Sequence, residues 1–118
     1  MSSPDARVGA VFGALADPTR RHLVAALASE PGATATGLAA GLPISRQAVA
    51  KHLKLLGEAG LVSSHRHGRE ALFELDAEPL AAAAAWIGAV GAEWDGRLGR
   101  LQQLLEKDGA QLPSGLNL

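Results

Sequence analysis

A mainly helical fold with one small β-hairpin is what the sequence predicts, on three observations. Apolar residues recur at helical spacing in four short segments before residue 60. Between residues 61 and 75 the stretch LVSSHRHGREALFEL reads as two short strands turning near Gly68. After Pro79, apolar residues recur by threes and fours as far as Leu105, which predicts one long closing helix.

Length and composition bound the rest. A chain of 118 residues is expected to form one domain over residues 1–118, able to bury roughly two-thirds of its unfolded surface. It is 47% hydrophobic but only 3% aromatic, so Leu, Val and Ala must build the core. No apolar run approaches the length of a membrane span, and MSSPDARVGA lacks the basic start and apolar stretch of a signal peptide. There is no cysteine, hence no disulfide framework, thiolate metal site or catalytic thiol. The expectation is a cytoplasmic protein that needs no cofactor.

The elements follow in order. Val8, Val11, Phe12 and Leu15 place a first helix over about residues 5–16, ending at Asp17-Pro18. Asp17 suits an N-cap and Pro18 the first helical position, so a second helix starts there and carries Leu23, Val24 and Leu27 to Glu30-Pro31-Gly32. Thr34 caps a short third helix with Leu38, Ala39 and Leu42; its Gly37 stands where a capping box would favour Glu. Gly41-Leu42-Pro43-Ile44 turns the chain, Ser45 caps a fourth helix, and Gly57 and Gly60 close it. Asp76, Glu78 and Pro79 open the last helix, about residues 79–107, with acids at its positive end. Gly109 is its expected C-terminal cap, and the tail GAQLPSGLNL is expected to be loose.

Two helices joined by a short Gly-containing turn, about residues 34–59, form a helix-turn-helix, and the hairpin at about 61–75 sits where a wing would. The charge pattern agrees. Net charge is −1, yet residues 45–69 hold Arg46, Lys51, Lys54, Arg66 and Arg69 against Glu58 alone, a local +4 on a body of −5. Such a patch is the footprint of a polyanion partner that a whole-chain balance conceals. Projected at 100° per residue, Ala48, Val49, His52, Leu53, Leu55, Leu56 and Ala59 fall on one arc of the fourth helix. Arg46, Gln47, Ala50, Lys51, Lys54 and Glu58 fall on the other. Bare Ala50 lets that face approach a groove floor. Arg46 and Gln47 carry forked donors that suit the edges of guanine and adenine, while Lys51 and Lys54 are point charges suited to phosphate. The bland reading is an ordinary basic solvated face.

LADPTRRHLVAAL, then LPISRQAVAKHLKLLGEAGLV, then the basic hairpin resemble the ArsR family of winged helix-turn-helix transcriptional regulators, over roughly residues 8–105. The last helix, with Trp86 and Trp94 before RLGRLQQLL, is similar to that of a cysteine-free, non-metal branch. The resemblance implies a repressor of transcription, homodimeric on an inverted-repeat operator of double-stranded DNA. It places the positions matching Arg46, Gln47, Ala50 and Lys51 in the groove; the family often has Ser where Ala50 stands, so one hydroxyl contact is missing here.

Further candidates surround this face. Ser45 can cap its helix and also reach a phosphate. Arg66, His67 and Arg69 flank the wing turn, in reach of a phosphate or the adjacent minor groove, unless they only solubilise the tip. Arg20 and Arg21 begin the helix that crosses the backbone; Arg20 either contacts DNA or pairs within the body. His52 falls inside the apolar arc, as a packed histidine would, although a DNA contact stays open. His65 and His67 point to one face of a strand, which begins a metal site, but zinc wants three or four ligands and no third is in evidence. No glycine-rich phosphate loop or nucleophile motif suggests an enzyme.

The last helix, at about 43 Å if helical from 79 to 107, exceeds a globule of this size, whose radius of gyration is roughly 13 Å. It is expected to project and to dimerise. Leu80, Ala84, Ile87, Gly91, Trp94, Leu98, Leu101 and Leu105 form its seam, with Val8, Val11, Phe12 and Leu15 of the first helix beside it. A winged-helix module for protein–protein assembly and a metal-responsive repressor using His65 and His67 are the alternatives.

Overall fold

The computed structural model describes residues 4–107. Its elements are helices α1 (Pro4–Leu15), α2 (Pro18–Ser29), α3 (Ala35–Ala40) and α4 (Arg46–Glu58), strands β1 (Val62–His67) and β2 (Glu70–Leu75), and helix α5 (Glu78–Lys107). This is a winged helix-turn-helix, mainly α with one antiparallel hairpin and a long C-terminal helix. The cap expected at Gly109 and the tail after it lie outside the described residues.

The chain divides into two compact units, the first reaching Ala83 and the second beginning at Ala84. The cause lies in the apolar residues. The buried core consists of Val11, Ala14, Leu23, Leu27, Leu38, Val49, Leu53, Leu56, Leu61, Val62 and Ala83, all in the first unit. Aliphatic side chains from α1 to the start of α5 thus fill one interior, as the low aromatic content requires.

Local chemistry sets each boundary in the first unit. The Asp17 carboxylate accepts from the Arg20 N–H at 3.0 Å, Thr34 Oγ1 from the Gly37 N–H at 3.0 Å, and Ser45 Oγ from the Ala48 N–H at 3.1 Å. Each satisfies a first-turn donor that would otherwise be orphaned. At the far end of α4, Gly60 has φ +80°, and its N–H donates to the Gly57 carbonyl at 3.0 Å. The Leu61 N–H reaches the Leu56 carbonyl, also at 3.0 Å. These are the two bonds of a Schellman cap, closed by the Leu56–Leu61 pair, both fully buried. The cap aims the chain from α4 directly into the wing.

The wing pairs from Val62↔Leu75 to His67↔Glu70, so only Gly68 and Arg69 make the turn. Gly68 takes φ +64°, the left-handed value that a two-residue loop opening on Gly demands. The wing is also tied to the body. The Gly32 N–H donates to the Phe73 carbonyl at 3.0 Å, and the Phe73 N–H to the Ala33 carbonyl at 2.9 Å. These bonds fix β2 against the start of α3.

The second unit is the rest of α5. Ile87, Trp94, Leu101 and Leu104 are 54%, 55%, 47% and 60% exposed. Arg97 donates to Glu93 at 2.8 Å and lies 5.9 Å from the Trp94 ring centroid. Both partners of that ion pair are well exposed, so it contributes little to stability.

Candidate nucleic-acid interface

α4 divides as its sequence predicts, except that Leu55, placed on the apolar arc, is exposed. Val49, Leu53 and Leu56 are buried, whereas Arg46, Gln47, Ala50, Lys51 and Lys54 are exposed. Among the described residues, none of these four polar side chains has a hydrogen-bond or ion-pair partner. The first turn contains no acid and begins on Arg46, against the preference of a helix dipole. A cation at the positive end of a helix disfavours the fold slightly but attracts anions from outside.

The wing extends this surface. An open cleft of about 220 Å³ is lined by Arg46 and Ala50 of α4 and by Arg66, Arg69, Glu70, Ala71 and Phe73 of the wing. Thr34 and Thr36 at the start of α3 complete its wall. Arg66 donates to the Arg69 carbonyl at 3.2 Å, which braces the turn. Register explains which wing residues arrive there: Arg66 pairs with Ala71, on the cleft side, while His65 pairs with Leu72. Alternation sets His65 on the other face of the hairpin, whereas His67, beside the turn, pairs with Glu70, itself a cleft residue. Thr36 is a cleft residue that the sequence reading missed; nothing in its local pattern marks it.

Arg20 requires a correction. Its Nε donates to the Ala14 carbonyl at 2.7 Å and Nη2 to the Gly13 carbonyl at 3.5 Å. Arg21 Nη1 donates to the carbonyls of Leu15 and Ala16, at 2.6 and 3.2 Å. The two guanidiniums thus cap the C-terminal end of α1, where cations offset the dipole and orphan carbonyls need donors. DPTRR is a corner motif: Asp17 caps the helix it opens, and the arginines cap the one before. Arg20 is held by the body and is not an expected DNA contact.

His52 joins that corner. Its Nδ1 lies 3.4 Å from Arg20 Nη1 and 3.9 Å from the Asp17 carboxylate. A half-buried histidine thereby links α4 to the α1–α2 junction, which is the structural role. The Arg20 backbone N–H, and secondarily the charges of Arg20 and His52, hold the Asp17 carboxyl below its ordinary value of 3.8. A lowered folded-state value favours the ionised form in the fold. Its contribution should be complete above pH 3.8 and disappear as pH falls through the lower folded-state value. In urea unfolding from pH 7 downward, the stability gap between the native chain and Asp17→Ala should stay constant to about pH 4 and then narrow. A gap that widens in acid would contradict this assignment.

A larger recess of about 390 Å³ has Arg7, Glu58, Asp76 and Glu78 around an alanine-rich wall. Its carboxylates repel phosphate, so it is no part of a nucleic-acid face. Among the described residues, no three His, Cys, Asp or Glu side chains are grouped to hold a metal ion, and no helix is long and apolar enough to cross a membrane.

The exposed, unpaired cations of α4 and their continuation in the wing form one basic surface, and comparison with known proteins decides the family. A helix-turn-helix domain family matches residues 15–65. The HTH-type transcriptional regulator Rv2034 of Mycobacterium tuberculosis is 40% identical over 96 residues, 81% of this chain and 86% of its own. An ArsR-like transcriptional regulator from Rhodococcus sp. RHA1 is 40% identical with a TM-score of 0.76, covering 86% of this chain and 93% of that one. The chain belongs to the ArsR family of helix-turn-helix transcriptional regulators. Another relative, the transcriptional repressor SdpR of Bacillus subtilis, is 32% identical over 77 residues, 65% of this chain and 84% of its own. Within this ArsR-family chain, α3 and α4 are the helix-turn-helix and β1–β2 the wing.

Proposed function

We propose that this ArsR-family regulator is a cytoplasmic homodimeric repressor that occupies an inverted-repeat operator and blocks initiation. Each protomer lays α4 in the major groove, with the wing beside it on the backbone. One observation carries the DNA-reading role: α4 buries Val49, Leu53 and Leu56 while leaving four polar side chains unpaired around Ala50. Repression is the role of the relative SdpR and is extended to this chain on that similarity.

Roles within the face follow from chemistry. Arg46 and Gln47 read base edges, while Lys51, Lys54, Arg66 and Arg69 neutralise phosphates. Ser45 accepts the Ala48 N–H and keeps its own proton to donate to a phosphate oxygen. Substituting Arg46 or Gln47 by Ala should cost about 1–3 kcal/mol on the selected operator and relax preference at single base pairs. Lys54→Ala should weaken every duplex alike and lower the salt slope by about one unit. Binding isotherms on operator and random DNA, at several salt concentrations, separate the two classes. Equal losses on both DNAs for Gln47→Ala would remove its base-reading role.

The dimer rests on α5. Ile87, Trp94 and Leu101 repeat at intervals of seven and are about half exposed in the single chain. Such a stripe suits a partner helix, and Gly91 on the same face, where a Cβ would meet nothing within 4 Å, leaves room for its approach. The first-helix part of the expected interface needs revision. Val11 is fully buried in its own core, and Val8, Leu15 and Leu80 pack against that core, leaving Phe12 as the exposed member of the α1 set. On α5, exposed Leu104 joins the seam.

A further inference from the structure

Ala50 is the one uncharged, donor-free position in the DNA-facing set. It stands one turn after Arg46 and one turn before Lys54, with Gln47 and Lys51 beside it, and it is exposed. Ala71 and Phe73, which line the same cleft, are also apolar. A mostly cationic surface, with Glu70 as the acid in the cleft, therefore borders a small apolar strip. In the major groove of B-DNA the base edges offer hydrogen-bonding atoms at nearly every site, and one apolar group, the 5-methyl of thymine. A bare Cβ cannot reach a hydrogen-bonding atom, yet it can make van der Waals contact with that methyl.

We infer that Ala50 reads a thymine, selecting it in each half-site through its 5-methyl group. This deepens the proposed function and rests on α4 entering the major groove. The identity of the side chain matters because of size. A longer residue would hold the helix away from the bases that Arg46 and Gln47 must reach; Gly would leave the methyl without a partner. Specificity at that base pair would come from apolar contact, and the flanking pairs from hydrogen bonds.

Deoxyuridine differs from thymidine only by the methyl, so a uridine scan of the operator tests this directly. The operator is first obtained by selection from random duplex DNA with the intact protein. Each thymine is then replaced singly by deoxyuridine, and affinity is measured for the native chain, Ala50→Gly and Gln47→Ala. The expected result is one sensitive thymine per half-site, with a loss of about fourfold, the weight of one buried methyl group. That loss should vanish in Ala50→Gly and persist in Gln47→Ala. The cycle compares the two bases within each protein, so any uniform cost of Gly in a helix cancels. If no thymine is sensitive, or Ala50→Gly keeps the same loss, the inference is wrong while DNA binding stands. If no duplex is selected at all, the proposed function fails with it.

Discussion

Replacing Ile87 and Leu101 together by Glu is expected to convert the protein to a folded monomer and to abolish operator binding at micromolar concentration. Both side chains are about half exposed in the single chain, so charges there leave the core of the first unit intact. In a symmetric interface each substitution occurs twice, and a buried, unpaired carboxylate costs several kcal/mol. Operator binding fails for a geometric reason. Two recognition helices must lie about 34 Å apart to enter successive major grooves on one face of the duplex, and only a fixed dimer holds that spacing. Sedimentation and a binding isotherm on one sample report both effects. A double variant that sediments like the parent and binds normally would place the interface elsewhere.

Leu56→Ala should have the largest effect on stability, about 2–5 kcal/mol, out of the 5–15 kcal/mol that holds a domain of this kind together. Leu56 is fully buried and has two roles at once: it fills the core beneath α4, and its carbonyl accepts the Leu61 N–H in the cap that starts the wing. A cavity there loosens the packing that fixes the angle of the recognition helix. Leu55, next to it in sequence and 42% exposed, is the control; Leu55→Ala should cost under about 1 kcal/mol. Urea unfolding of the two variants decides the matter, and similar midpoints would contradict the assigned orientation of α4.

That orientation was legible in the sequence, because helical periodicity and an N-cap Ser fix which arc of residues 46–58 turns inward. The caps at Asp17, Thr34 and Ser45 and the turn at Gly68 were legible for the same reason: each depends on residue types a few positions apart. Three features were not. The capping of α1 by Arg20 and Arg21 joins groups in different helices, and a basic pair at a helix start looks the same whether it meets carbonyls or phosphates. Val11 shares its apolar side with Phe12, and spacing alone does not tell a side facing its own core from one facing a partner. The placing of Arg66 and Phe73 in the cleft depends on strand register and on the bonds that tie Phe73 to Gly32 and Ala33. Those bonds join segments some forty residues apart, beyond any local pattern.

Selection of bound fragments from random duplex DNA, followed by sequencing, tests the central claim most directly: that paired α4 helices read a specific operator. The predicted result is one enriched motif made of two inverted half-sites, about 10–10.5 base pairs between centres or a multiple of that. Its affinity should fall steeply with salt, and its half-sites should lose definition in Gln47→Ala. Recovery of no motif, or of one that Gln47→Ala and Arg46→Ala leave unchanged, would contradict the account.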